Sequence, residues 1–234
     1  MTIDGVAADG LPSGSQRLLV FLALRGRPVS RTVVAGIMWP DVTAQHAADS
    51  LRSTLARLDR LTRAGITLAS AELGLGPDVS IDYVEARSLA LRLLDADAPL
   101  IVGDLAAAAI ATLSRDLLPD WADDWIAAEA DDWRHLRASA LEALALRLLD
   151  AGRHAEAEGA ARAAIRIDPL RETPRAVLIR IHLAHGNQSD ALVAYAEYGA
   201  LLHAELGIEP TARISDLVHG IRNPMAPGNS FARG

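Results

Sequence analysis

In SLRSTLARLDR (residues 50–60), leucines fall at 51, 55 and 58 and arginines at 52, 57 and 60, the spacing of a helix with one apolar face and a charged back. The same period recurs upstream. Residues 16–24 form an apolar run that predicts a helix ending near Gly26. Ser30 suits the N-cap of a second helix, which runs through Met38 and is closed by Trp39-Pro40. A third is expected from after Thr43 to about residue 62 or 63. The period then changes. In GITLASAELGLGPDVSIDY (residues 65–83), apolar residues alternate in short pieces around glycines and a proline, which predicts a strand, a turn and a second strand. Three helices followed by a hairpin is the layout of a winged helix-turn-helix. Residues 1–14 are glycine-rich and weakly patterned, a short hairpin or a frayed lead.

Beyond Tyr83 the pattern is helical throughout, with helices expected at about 84–95, 104–116, 122–150, 153–167, 171–185 and 188–205. Residues 221–234 have linker composition and are expected to be a flexible tail. A repeat runs through the second half. AGRHAEAEGA (151–160) and HGNQSDALVA (185–194) align at a spacing of 34 residues, matching Gly152 with Gly186, Ala157 with Ala191 and Leu149 with Leu183. Glycine at the turn and alanine where two helices touch is the signature of tetratricopeptide-like helical hairpins. The fold class is therefore mainly α: a winged helix-turn-helix domain at 1–83, then an α-helical repeat domain at 84–220.

Composition narrows the chemistry. Half of the 234 residues are hydrophobic but only 4% are aromatic, which favours closely packed helices. With no cysteine, disulfides, thiolate metal sites and cysteine nucleophiles are excluded. No apolar run approaches the roughly 20 residues of a membrane span, and the N-terminus has no signal-like segment, so a cytoplasmic protein is expected. The net charge is -7, and all 23 basic residues are arginines. Charge is segregated, however. Residues 11–65 hold eight arginines against three aspartates, an excess of five positive charges, while the rest of the chain holds 15 basic and 27 acidic side chains. That asymmetry suggests a polyanion-binding N-terminal part on an acidic body; a salt-bridged interface between the two would look similar.

On the 50–60 helix, a step of about 100° per residue sets Asp49, Ser53, Ala56 and Arg60 opposite the leucines, with Gln45 and His46 on that face if the helix includes them. Recognition helices read base edges with their N-terminal part and phosphates with their flanks. Gln45, His46, Asp49, Arg52 and Ser53 are therefore candidates for base reading, and Arg57, Arg60 and Arg63 for phosphate contacts. An ordinary solvated face gives the same pattern; the preceding helix pair, the following hairpin and the local positive charge tilt the balance toward double-stranded DNA. Elsewhere, Trp121, Trp125 and Trp133 among aspartates make either a packing stripe or a partner surface. Arg171 and Arg175, four apart at the repeat junction, suit charge pairing or the edge of a partner-binding concave face. The aspartates lie on a helix without a cation-binding loop pattern, and the histidines form no HExxH, so no metal is expected. Phosphate-loop, nucleophile-elbow and Rossmann signatures are absent as well, so neither a cofactor nor an enzymatic activity is expected.

LPSGSQRLLVFLALRGRPVSRTVVAGIMWPD followed by AADSLRSTLARLDRL resembles the winged-helix domain of the Streptomyces antibiotic regulatory protein family, itself similar to the DNA-binding domain of OmpR-type response regulators. Residues 116–211, with GR..EA, DPLRE and HL..GN...AL..Y..Y..LL..ELGIEP in order, resemble the bacterial transcriptional activator domain that follows it. The resemblance implies an activator that binds direct repeats near promoters through the winged helix, its helical domain assisting homodimerisation and contact with RNA polymerase. It implies a recognition helix at 44–61 with Arg52 and Arg57 at recurrent arginine positions, a wing at 66–82, and a structural Trp39. Two departures stand out: Asp59 replaces an arginine usual in the family, and only residues 1–14 are available for the N-terminal sheet. These motivate the alternative of a helical protein-interaction module whose winged helix does not bind DNA directly.

Overall fold

The computed structural model describes residues 2–3, 6–7, 11–58, 60–68, 71–101, 103–121 and 123–222, the side chains of residues 2, 3, 6, 7, 60, 61, 68, 220 and 222 excepted. The chain is mainly helical and divides into two compact units, Met1–Ser88 with Leu117–Asp131, and Leu89–Asp116 with Asp132–Gly234. The expected tail at 221–234 begins too early, since a helix runs through Arg222, and Asp59 and residues 223–234 lie outside the described residues.

In the first unit, helix α1 (Ser13–Arg25) buries Leu18, Leu19, Phe21 and Leu22. Helix α2 (Arg31–Met38) opens where the Ser30 hydroxyl accepts the Val33 N–H at 3.4 Å, and it buries Val34, Ala35 and Met38. Helix α3 (Ala44–Ala56) is capped in the same way, Thr43 Oγ1 accepting from the His46 N–H at 3.4 Å. It buries Ala47, Leu51 and Leu55 into the same core. The expected helix through residue 61 is interrupted. The Arg57 N–H is shared between the carbonyls of Ser53 and Thr54, both at 3.2 Å, which tightens the last turn and ends α3. Leu58 then turns into the core, 6% exposed, and a separate short helix α4 (Arg60–Ala64) follows.

Strands β4 (Ile66–Leu68) and β5 (Glu72–Leu75) form the expected hairpin, Thr67 facing Gly74. A two-residue strand β3 (Val29–Ser30) pairs antiparallel with the other edge of β5, giving the order β3-β5-β4. Near the N-terminus, β1 (Thr2–Ile3) and β2 (Val6–Ala7) pair only with each other among the described residues. The unit is completed from further along the chain. Trp125 meets Phe21 edge-on, ring centroids 5.4 Å apart, and Arg17 is ion-paired with Asp123.

The remaining helices are α5 (Asp82–Leu94), α6 (Ala107–Leu113), α7 (Asp124–Asp150), α8 (His154–Ile167), α9 (Glu172–Ala184), α10 (Gln188–Leu206) and α11 (Ala212–Arg222). Helix α6 is shorter than the expected 104–116 because Asp104 is used in the preceding turn. It is 3% exposed, accepts from Arg92 Nε at 3.0 Å and Nη2 at 2.8 Å, and accepts the Ile101 N–H at 3.0 Å. The Arg92 hydrogen bonds hold its carboxyl below the ordinary aspartate range.

The two turns aligned by the 34-residue spacing close with the same pair of hydrogen bonds. At the end of α7, Gly152 N–H donates to Leu149 O at 2.9 Å and Arg153 N–H to Leu148 O at 2.9 Å. At the end of α9, Gly186 N–H donates to Leu183 O at 3.0 Å and Asn187 N–H to His182 O at 2.8 Å. This is the Schellman closure, which needs a left-handed residue at its turn; Gly152 and Gly186 supply it with φ of 70° and 75°. The matched Ala157 and Ala191 are both at 0% exposure, so a larger side chain would force the paired helices apart. Tyr198, 2% exposed and bonded to Leu170 O at 3.0 Å, anchors the last core with Ile214 and Val218 of α11, a helix that the expected pattern did not include.

Candidate nucleic-acid interface

Helix α3 buries one side and opens the other. Taking about 100° per residue, Gln45, His46, Asp49, Arg52 and Ser53 fall within an arc of about 120°, and Ala47, Leu51, Thr54 and Leu55 occupy the opposite side. The structure brings these five candidates together at the surface: Gln45, His46, Arg52 and Ser53 are exposed and Asp49 is half-exposed. Arg52 is ion-paired with Asp49, three residues before it, with 63% of the arginine side chain exposed. An exposed pair of this kind stabilises a helix by only about 0.3–0.5 kcal/mol, so it orients Arg52 without committing it.

Arg57 and Arg63 are exposed too, but they do not continue the α3 surface as one helix would. Arg57 is the C-cap of α3 and Arg63 lies in the last turn of α4. The Arg60 side chain is outside the described residues. The β4–β5 hairpin turns Ile66 and Leu73 into the core, 5% and 0% exposed, and leaves Thr67 and Glu72 outside. Two of the eight N-terminal arginines point elsewhere: Arg17 answers Asp123, and the Arg25 guanidinium lies 5.0 Å from the Phe21 ring centroid.

A groove of about 470 Å³ runs between α2 and α3, floored by Ala35, Gly36, Ala47 and Ala48, with Arg31 and Arg52 among its lining residues. Arg31 was not among the sequence candidates. The signal available was its place just after the cap of α2, where a side chain faces the helix that follows.

The five residues read as a partner surface are mostly spent internally. Trp133 is 3% exposed, its indole N–H donating to Arg115 O at 3.0 Å, so it packs and cannot present a surface. Trp125 packs against the first unit's core, and Trp121 is half-buried. Arg171 is ion-paired with Glu142 at 3.2 Å and Asp168 at 3.4 Å, and burial pushes the Glu142 carboxyl up against the opposing pull of Arg171. Arg175 lies 5.6 Å from the Tyr198 ring centroid. Among the described residues, no group of three or more histidines or carboxylates could hold a metal ion, and no helix is long and apolar enough to cross a membrane.

Residues 80–222 match the family model of the bacterial transcriptional activator domain. The chain belongs to that family. Members of this activator-domain family are transcription regulators, and two curated relatives are named as regulatory proteins. The regulatory protein AfsR of Streptomyces coelicolor is 27% identical over 222 residues, and that of Streptomyces griseus 26% over 221. Each alignment covers 90% of this chain but 22% of the relative, so this activator-domain chain spans about a fifth of their length. Among solved structures, Mycobacterium tuberculosis EmbR in complex with a low-affinity phosphopeptide matches 97% of this chain and 63% of its own, with a TM-score of 0.64 and 21% identity. That likeness shows a shared fold.

Proposed function

We propose that this chain is a sequence-specific DNA-binding transcriptional regulator, an activator acting at repeated promoter sites. In this reading residues 1–83 form a winged helix whose recognition helix is α3 and whose wing is the β4–β5 hairpin. Residues 84–220 form tetratricopeptide-like repeats that contact a second copy of the chain or RNA polymerase. The observation that carries the reading is the open polar arc of α3, set opposite its buried leucines and bearing Arg52. Two copies would lay α3 in successive major grooves. Gln45, His46, Arg52 and Ser53 would face base edges, and Arg57, Arg60 and Arg63 would hold phosphates.

The test is fluorescence anisotropy of the purified chain with its own upstream intergenic DNA against scrambled DNA, across a salt series. Specific binding with a steep salt slope, lost in Arg52→Ala and Arg57→Ala proteins that stay folded, supports the reading. A folded protein that binds no DNA at low salt overturns it. It would favour instead a protein-interaction module, in which Asp49 keeps Arg52 neutralised.

A further inference from the structure

Where the second turn of the 34-residue repeat comes beside the first, two histidines meet. His154 is the first residue of α8 and His185 is the C-cap of α9. His154 Nδ1 and His185 Nε2 are 3.1 Å apart, the ring centroids are 5.0 Å apart, and the rings are tilted by 56°. We propose that this pair is a binding site for one divalent late-transition-metal ion of the Zn²⁺ or Cu²⁺ class, held by the two imidazoles and completed by water.

The geometry carries the proposal. An ion at about 2.05 Å from both nitrogens would subtend an N–metal–N angle of about 98°, between the right angle of square or octahedral coordination and the tetrahedral angle. A straight N–H···N bond would hold the centroids at about 5.4 Å and an ion on both ring axes at about 4.8 Å, so the 5.0 Å separation lies nearer the ion-bridged arrangement. In the metal-free pair one ring donates its N–H to the other. When the ion binds, that proton moves to the outer nitrogen of its own ring, leaving both inner lone pairs free for the metal.

Both carriers are held in place. The His185 N–H donates to Ile181 O at 3.1 Å, and the residue before His154 closes the Schellman turn on Leu148. The pair is not required by the repeat architecture either. The positions 34 residues away from His185 and His154 are Ala151 and Gln188, so the repeat's alanine and glycine contacts form without it. His185 is exposed and His154 half-buried, which leaves the outer face of the site open to water. A bound ion would clamp the start of α8 to the end of α9.

The experiment uses the full chain, stripped with chelator and titrated calorimetrically with ZnCl₂ alone and with CuSO₄ alone. Electron paramagnetic resonance of the Cu²⁺ form would count equatorial nitrogens. One ion per chain with two imidazole nitrogens is expected. His154→Ala and His185→Ala should each weaken binding by about tenfold or more, and His182→Ala and His203→Ala should not. Circular dichroism confirms that each variant is folded, and Zn²⁺ should raise the thermal midpoint of the parent but not of His185→Ala. Absence of binding by the folded parent at 100-micromolar-order ion (about 10⁻⁴ M) overturns the proposal. So does unchanged affinity in both single variants, or an equal loss in His182→Ala. Because no DNA is present, the result is independent of the DNA-binding reading.

Discussion

Helix α3 and the α8–α9 junction both carry arginines, and they use them in opposite ways. At the junction, Arg171 is answered by Glu142 and Asp168, and Arg175 by the Tyr198 ring. On α3, Arg52 is ion-paired with half-exposed Asp49 on its own helix, and Arg57 stands exposed at its end. The sequence patterns are alike. What separates them is whether a second element brings a buried carboxylate or ring to the arginine. Where one does, the cation becomes part of the core's electrostatics and its loss costs stability. Where none does, the cation stays at the surface in contact with solvent, and its loss costs little stability.

The first way to break this contrast is at the aromatic anchor of the first unit. Trp125→Ala should lower stability by about 2–3 kcal/mol, somewhat below the cost at a fully buried tryptophan, as read by urea unfolding. Next, Arg171→Ala should cost about 2 kcal/mol while leaving DNA affinity unchanged, because Glu142 stays partly buried without its cation. That deficit should shrink as pH falls, because burial holds the Glu142 carboxyl above the ordinary glutamate range and loss of the arginine lets it take up a proton sooner. A third probe is the acid limb of the unfolding curve. Asp104 titrates below its unfolded value, so its contribution is complete above about pH 4 and is lost as pH falls through the lower folded value. Asp104→Asn should therefore flatten that limb, at a cost of about 1–2 kcal/mol at neutral pH. The smallest effect sharpens the contrast from the other side. Asp49→Ala should change stability by no more than about 0.5 kcal/mol, yet raise DNA affinity severalfold by freeing Arg52. A large stability loss there, or none in Arg171→Ala, would show that the two arginine environments do not differ as described.

Much of this was legible where the signal is local. Ser30 capping α2, the leucines of α3 and the glycine-alanine pairing at 34 residues each follow from side chains a few positions apart or from a repeated pattern. Strand β3 was not legible, because two residues carry no period, and Val29–Ser30 becomes a strand only when β5 arrives. The end of α3 at Arg57 was hidden for a different reason. Leu51, Leu55 and Leu58 keep helical spacing, yet Leu58 reaches the core from a turn. Trp121, Trp125 and Trp133 looked like one stripe, and the structure gives them different surroundings. Trp125 and Trp133, eight positions apart on one helix, pack into different units, which local periodicity cannot reveal.

The ion pair of Arg17 with Asp123, 106 residues apart, has a consequence for synthesis. Domains fold as they emerge from the ribosome, usually from the N-terminus onward. Here the first unit made is finished late, since Asp123 and Trp125 must clear the exit tunnel before Arg17 and Phe21 have their partners. Until then the nascent chain carries helices α1–α3 and their sheet with Phe21 lacking its tryptophan, and a fragment ending at residue 83 would never gain it.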